Sequence, residues 1–147
     1  MCTFKISTAA ILASLACAIS GPLNAQHPTA SALLNKELAD IPGKEALMLT
    51  VDFAPGGADP IHRHDAHGFI YVLEGSVVMQ VKGGEPVTLT AGQTFYEGPD
   101  DVHIVGRNAS STRPARLLVV LLKKKGAPAL VPVNERDSGR PMTSGTR

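Results

Sequence analysis

The chain has 147 residues, 14 Lys and Arg against 13 Asp and Glu, a formal net charge of +1, five His and no Trp. A balance this close to neutral leaves no electrostatic footprint for nucleic acid or an anionic membrane surface, and the length suits one domain. Cys2 and Cys17 are the only cysteines and both precede residue 26, so the rest of the chain has neither disulfides nor thiolate ligands and depends on its core.

In chain order, Lys5 precedes the apolar run Ile6–Ile19, followed by Gly21, Pro22 and then Leu23-Asn24-Ala25. This is the pattern of a secretory signal peptide over residues 1–25, cleaved after Ala25 to release a periplasmic or secreted product that begins at Gln26. The run is short for a membrane span, and no membrane partner is expected after cleavage. Residues 26–44 read as a lead-in, flexible over Gln26–Ala32 with a short element over Leu33–Ile41.

Apolar residues then recur in short runs between turn residues, which predicts an all-β barrel or sandwich over residues 45–133. The runs are Ala46–Phe53, Phe69–Leu73, Val77–Val81, Val87–Thr90, Thr94–Glu97, Val102–Val105 and Leu117–Leu122. Glu74-Gly75 and Gly83-Gly84 are the expected hairpin turns, since glycine accepts positive φ. Leu117–Leu122 is apolar on both parities and predicts a central strand covered on both sides. Leu130–Val133 fits only an edge, because Pro132 has no amide to donate. Beyond Gly126 little apolar surface remains to support folding, and residues 134–147 are expected to be disordered.

Four of the five histidines fall in two blocks. The first, Gly56 to His67, contains Pro60-Ile61-His62-Arg63-His64. Extended backbone sends alternate side chains to opposite faces, so His62 and His64 present two imidazoles to one side. The second block, Gly92 to His103, offers another imidazole and the carboxylate of Glu97. Neutral imidazole is the commonest protein ligand for transition metals. Alternation pairs Glu97 with Phe95, so if Phe95 is core, Glu97 faces the interior, where an unpaired carboxylate is costly. His67 reads as a residue of the turn after His64.

These blocks resemble the two motifs of the cupin superfamily. The first runs Gly, five residues, His-x-His, three or four residues, Glu, six residues, Gly; Gly56, His62, His64 and Gly75 fall in the matching places. The Glu place falls on Gly68 or Phe69. In the second motif Gly92 and His103 match in register, Gly98 stands where Pro is usual, Asp100 where Gly is usual, and Asn108 lies one place late. The resemblance spans about residues 45–123 and implies a single cupin (jelly-roll) β-barrel that forms a homodimer. It also implies one divalent transition metal (Fe, Mn, Ni, Cu or Zn) held by His62, His64 and His103, with Glu97 or His67 in place of the missing motif Glu. Two functions follow: a metal-dependent oxygenase or related enzyme acting on a small oxygenated or aromatic substrate, or a non-catalytic periplasmic module that binds or senses a small ligand. No catalytic residue is assigned at this level.

Overall fold

Ten strands and no helix form along residues 26–134, which are the residues the computed structural model describes. The leader expected over residues 1–25 and the tail expected beyond Asn134 lie outside them. The strands are β1 (Thr29–Glu37), β2 (Lys44–Phe53), β3 (His62–Arg63), β4 (Ala66–Glu74), β5 (Ser76–Val81), β6 (Val87–Thr90), β7 (Thr94–Glu97), β8 (His103–Asn108), β9 (Ala115–Lys124) and β10 (Val131–Pro132). They make two five-stranded antiparallel sheets, ordered β1-β2-β9-β4-β7 and β10-β3-β8-β5-β6. The fold is all-β, as the spacing of apolar runs predicts.

Alternation explains how the two sheets close on each other. In β4, Ala66, Gly68, Ile70 and Val72 are buried, while Phe69, Tyr71 and Leu73 are exposed. In β9, Ala115, Leu117, Val119, Leu121 and Lys123 are buried and the residues between them are more open. Phe53, Val72, Val77 and Leu121 are the largest fully enclosed side chains, each contributing roughly 1.5–3 kcal/mol by burial. β9 lies third of five in its sheet, the central place expected for a run apolar on both parities. β10 lies at the edge of the other sheet, as Pro132 requires.

Three expectations are corrected. The segment read as flexible followed by a lead-in is one nine-residue strand, β1, paired with β2 from Thr29↔Asp52 to Glu37↔Glu45 with a bulge between Ala32 and Leu34. Gly83-Gly84 does sit in the β5–β6 hairpin, but Glu74-Gly75 joins β4 to β5 in opposite sheets and is a crossover. Finally, residues 127–133 take part in the fold. Buried Lys123 donates to the Glu45 carboxylate and to the Ala127 carbonyl (2.6 Å), and its bond holds the Glu45 carboxyl below the usual range. Val133 N then donates to Ile61 O (3.1 Å), and β10 pairs with β3 through Val131↔Arg63 and Pro132↔His62.

Gly75 has φ +74°, and a Cβ there would lie 2.5 Å from the Pro114 carbonyl oxygen and 2.9 Å from Ala115 Cα. Both neighbours are backbone, so relief would require moving the crossover. Gly75→Ala is expected to destabilise the protein by at least about 2 kcal/mol in chemical denaturation; a variant as stable as the parent would contradict this placement.

Candidate metal centre

Strand register places the donor side chains. β3 and β8 pair at His62↔His103, so these imidazoles are cross-strand neighbours on the inside of one sheet, with ring centroids 5.0 Å apart. His64 follows on extended chain just past β3, its ring centroid 4.8 Å from that of His62. In the facing sheet, Glu97 ends β7 directly opposite Gly68 of β4. Phe95 packs against the core, and Glu97, two residues on, points the same way with 3 % of its surface exposed. Gly68, one of the two places where the Glu of the resembling motif can fall, is also buried, and a Cβ built there would lie 3.5 Å from Glu97 Cβ. A carboxylate on either residue would occupy the same region.

His62, His64, His103 and Glu97 converge. Glu97 Oε2 lies 3.3 Å from His64 Nε2, and Oε1 lies 3.2 Å from His103 Nδ1. His62 Nδ1 donates to the Pro60 carbonyl (2.8 Å) and His64 Nδ1 donates to the Ala129 carbonyl (2.6 Å). With Nδ1 carrying the proton in each, a neutral ring presents the lone pair of Nε2. The two Nε2 atoms nevertheless face each other at 3.2 Å. Two lone pairs at that distance repel unless a proton or a metal cation lies between them. Buried His103 Nε2 finds no hydrogen-bond partner among the described residues.

Burial chiefly depresses His62, to about 4, against the opposing pull of its bond to Pro60. It lowers His103 as well, with the Glu97 charge acting the other way. For His64 burial works downward too, but the bonds to Glu97 and to the Ala129 carbonyl outweigh it and the net direction is up. Burial alone would raise Glu97, yet the His64 bond and the charges of the three imidazoles carry it below the usual carboxylate value. These directions favour a proton held between His64 and Glu97.

Among the described residues no three His, Cys, Asp or Glu side chains stand arranged around a metal-sized point. The four groups touch one another instead. Their separations of 3.2–3.3 Å nonetheless match the edges of a coordination shell, since ligands about 2.0–2.2 Å from an ion lie about 3–3.5 Å apart. Three imidazoles and a carboxylate, with the Nε2 atoms of His62 and His64 facing each other and His103 Nδ1 beside Glu97, fit a divalent transition metal as a donor set. His67 is not part of the cluster. β4 begins at Ala66, earlier than the apolar pattern predicts, so His67 lies within a strand with the outward parity of Phe69 and Tyr71. There its Nδ1 shares a 2.7 Å hydrogen bond with the Tyr96 hydroxyl.

Asp59, which the sequence reading passed over, lines the same cavity. A Cβ on Gly106 would meet both Asp59 Oδ2 (2.9 Å) and His103 Cε1 (2.8 Å), so that glycine leaves room for the pair. The visible signal was a carboxylate three residues before His62, but Asp before Pro reads as a turn. Burial, the largest influence, pushes Asp59 up to about 7, with His64 acting downward and Glu97 upward. The cavity has a volume of about 160 Å³. Its walls include Leu49, Val51, Ile70, Met79, Leu117 and Val119, and Pro28, Ala30, Ala129 and Leu130 also border it.

The chain belongs to the cupin superfamily: the family model of the cupin domain matches residues 49–121, and the two-sheet fold agrees. A double-stranded β-helix protein from Klebsiella pneumoniae subsp. pneumoniae MGH 78578 superposes with a TM-score of 0.58 at 19% identity, over 73% of this chain and 86% of its own. TT1209 from Thermus thermophilus gives 0.55 at 28% identity, over 66% and 84%. Oxalate oxidase in complex with the substrate analogue glycolate gives 0.57 at 27% identity, over 78% of this chain but only 57% of its own. The search of curated protein sequences returned no match.

A raised carboxyl makes the metal-free protein's stability depend on pH with a definite sign. The folded state keeps the Asp59 proton up to about 7, whereas the unfolded chain releases it near 3.8. The folded state thus holds more protons between these values, and Asp59 withdraws stability as pH rises through that window. In chelator-stripped protein, Asp59→Asn should raise the melting temperature relative to the parent by several degrees more at pH 8 than at pH 4. An equal difference at both pH values would show that the carboxyl is not buried in this way.

Proposed function

We propose that this is an exported cupin that holds one divalent transition metal through His62, His64, His103 and Glu97 and acts on a small oxygenated or aromatic substrate. The observation that carries this reading is the approach of His62 and His64 Nε2 atoms to 3.2 Å while both Nδ1 atoms face backbone carbonyls. Those carbonyls fix each ring's orientation and leave Nε2 for the ion. Glu97 brings negative charge to the cluster, and the apolar walls keep bulk water from a bound ligand. Fe, Mn, Ni, Cu and Zn all suit this donor set. When bound, such an ion supplies a Lewis-acid or redox centre. Asp59, a carboxyl on the cavity wall, can hold or release a proton beside the ligand, which favours an enzyme over a passive binder.

Metal content and chelator competition on purified variants test the donor set. His62→Ala, His64→Ala and His103→Ala are each expected to weaken binding by at least about a hundredfold, and Glu97→Gln by at least about tenfold, because each removes a direct ligand or its charge. His67→Ala should bind as the parent does. Full occupancy in any of the three histidine variants would remove that residue from the site. A parent protein that takes up no metal would end the reading.

Export and assembly belong to the same proposal. The outer face of the first sheet exposes Phe69, Tyr71 and Tyr96 beside Leu118 and Val120. An aromatic patch without charged residues is the composition of an interface core, and a second copy of this chain is its proposed occupant. Native mass spectrometry of protein recovered from the periplasm should show a dimer of chains that begin at Gln26. A monomer, or chains that retain residues 1–25 or start at a modified Cys17, would contradict this part.

A further inference from the structure

The cavity beside the metal cluster is well defined chemically. Of its sixteen lining residues, eleven are apolar (Pro, Ala, Leu, Val, Ile or Met) and the other five are Asp59, His62, His64, Glu97 and His103. Among the described residues no Lys, Arg, Ser, Thr, Asn, Gln or Tyr side chain lines it. The buried cation Lys123 is engaged by Glu45 and the Ala127 carbonyl, and the amide of buried Asn108 donates to the Ala54 and Arg113 carbonyls. Neither is free to meet a ligand. The polar groups that remain are the four donors of the metal reading and a second carboxyl. A carboxylate group brought here would exchange its hydration for largely aliphatic walls and the Glu97 carboxylate, with only the ion and the protonated Asp59 carboxyl in compensation.

We propose that this cavity selects a compact, uncharged ligand, with an apolar body the size of one six-membered ring and a single oxygen directed at the cluster, and discriminates against small carboxylates. The volume of about 160 Å³ sets the size, since an apolar protein cavity of about 150 Å³ accommodates benzene. The lining sets the polarity: one end carries all five polar residues, and the rest offers dispersion contacts only. Ala30, exposed on β1, and half-buried Ala129 border the cavity towards solvent, while buried Val119 faces its interior. The proposal rests on the metal reading for the anchor of the oxygen, and on the walls alone for the exclusion of carboxylates. It separates this chain from what the likeness to an oxalate oxidase holding glycolate would suggest.

Calorimetric titration of the full exported protein, loaded with zinc as a redox-silent probe and with zinc content measured on the same sample, tests it. Phenol and cyclohexanone are expected to bind at least about tenfold more tightly than glycolate. Val119→Phe, which fills the cavity from its buried wall, should lose most of the phenol affinity while keeping its zinc, and Ala30→Arg at the exposed rim should narrow the gap by improving glycolate. Glycolate binding as tightly as phenol to fully loaded protein would overturn the proposal, as would undiminished phenol binding by folded, zinc-loaded Val119→Phe. If the protein takes up no zinc, the metal reading fails by itself. The walls are then read from the metal-free protein, where phenol must still bind ahead of glycolate.

Discussion

A carboxylate and three imidazoles lie together on the inside of a barrel whose other inner residues are mostly hydrocarbon. Burying them without compensation would cost several kcal/mol, and among themselves they compensate only in part. His64 and Glu97 form an ion pair, but the facing Nε2 atoms of His62 and His64 compete for one proton, and His103 Nε2 has no partner among the described residues. The cluster is left with an electrostatic mismatch of the kind that the proposed divalent cation would relieve. The surrounding architecture is arranged around it.

Two register matches do most of that work. His62↔His103 places two rings side by side in one sheet, and Gly68↔Glu97 aims the carboxylate at them from the other. Moving the acid from β4 to its β7 partner keeps it at the same depth, and the absent side chain of Gly68 leaves the space open. The C-terminal segment then tightens the arrangement. Lys123 is held by Glu45 and itself holds Ala127, and two residues later the Ala129 carbonyl accepts the His64 Nδ1 proton. The orientation of one donor thus depends on a segment that carries little apolar surface of its own.

Much of the fold was legible because half-buried strands announce themselves by alternation. Val87–Thr90 and Thr94–Glu97 appear residue for residue as β6 and β7, and Leu117–Leu122 is the heart of β9. β1 was not legible, since an edge strand exposed along its whole length carries no apolar period. Gly75 announced a turn but not which strands it joins, because positive φ is a local property and pairing is not. At the site, the inward direction of Glu97 followed from its parity with Phe95. His67 was misplaced because β4 starts at Ala66, three residues before its first bulky apolar side chain, and that start puts the imidazole on the outer face. Asp59 escaped notice because its position depends on the packing of the loop onto Gly106, which no local pattern encodes.

With metal bound, the four inward donors should form one coordination sphere. X-ray absorption spectroscopy of the metal-loaded, untagged protein tests this most directly. The account predicts one metal per chain, with about three imidazole scatterers and at least one oxygen at roughly 2.0–2.2 Å, and with the imidazole contribution reduced in His103→Ala. A first shell of oxygen atoms alone, or a spectrum unchanged by loss of His103, would contradict it.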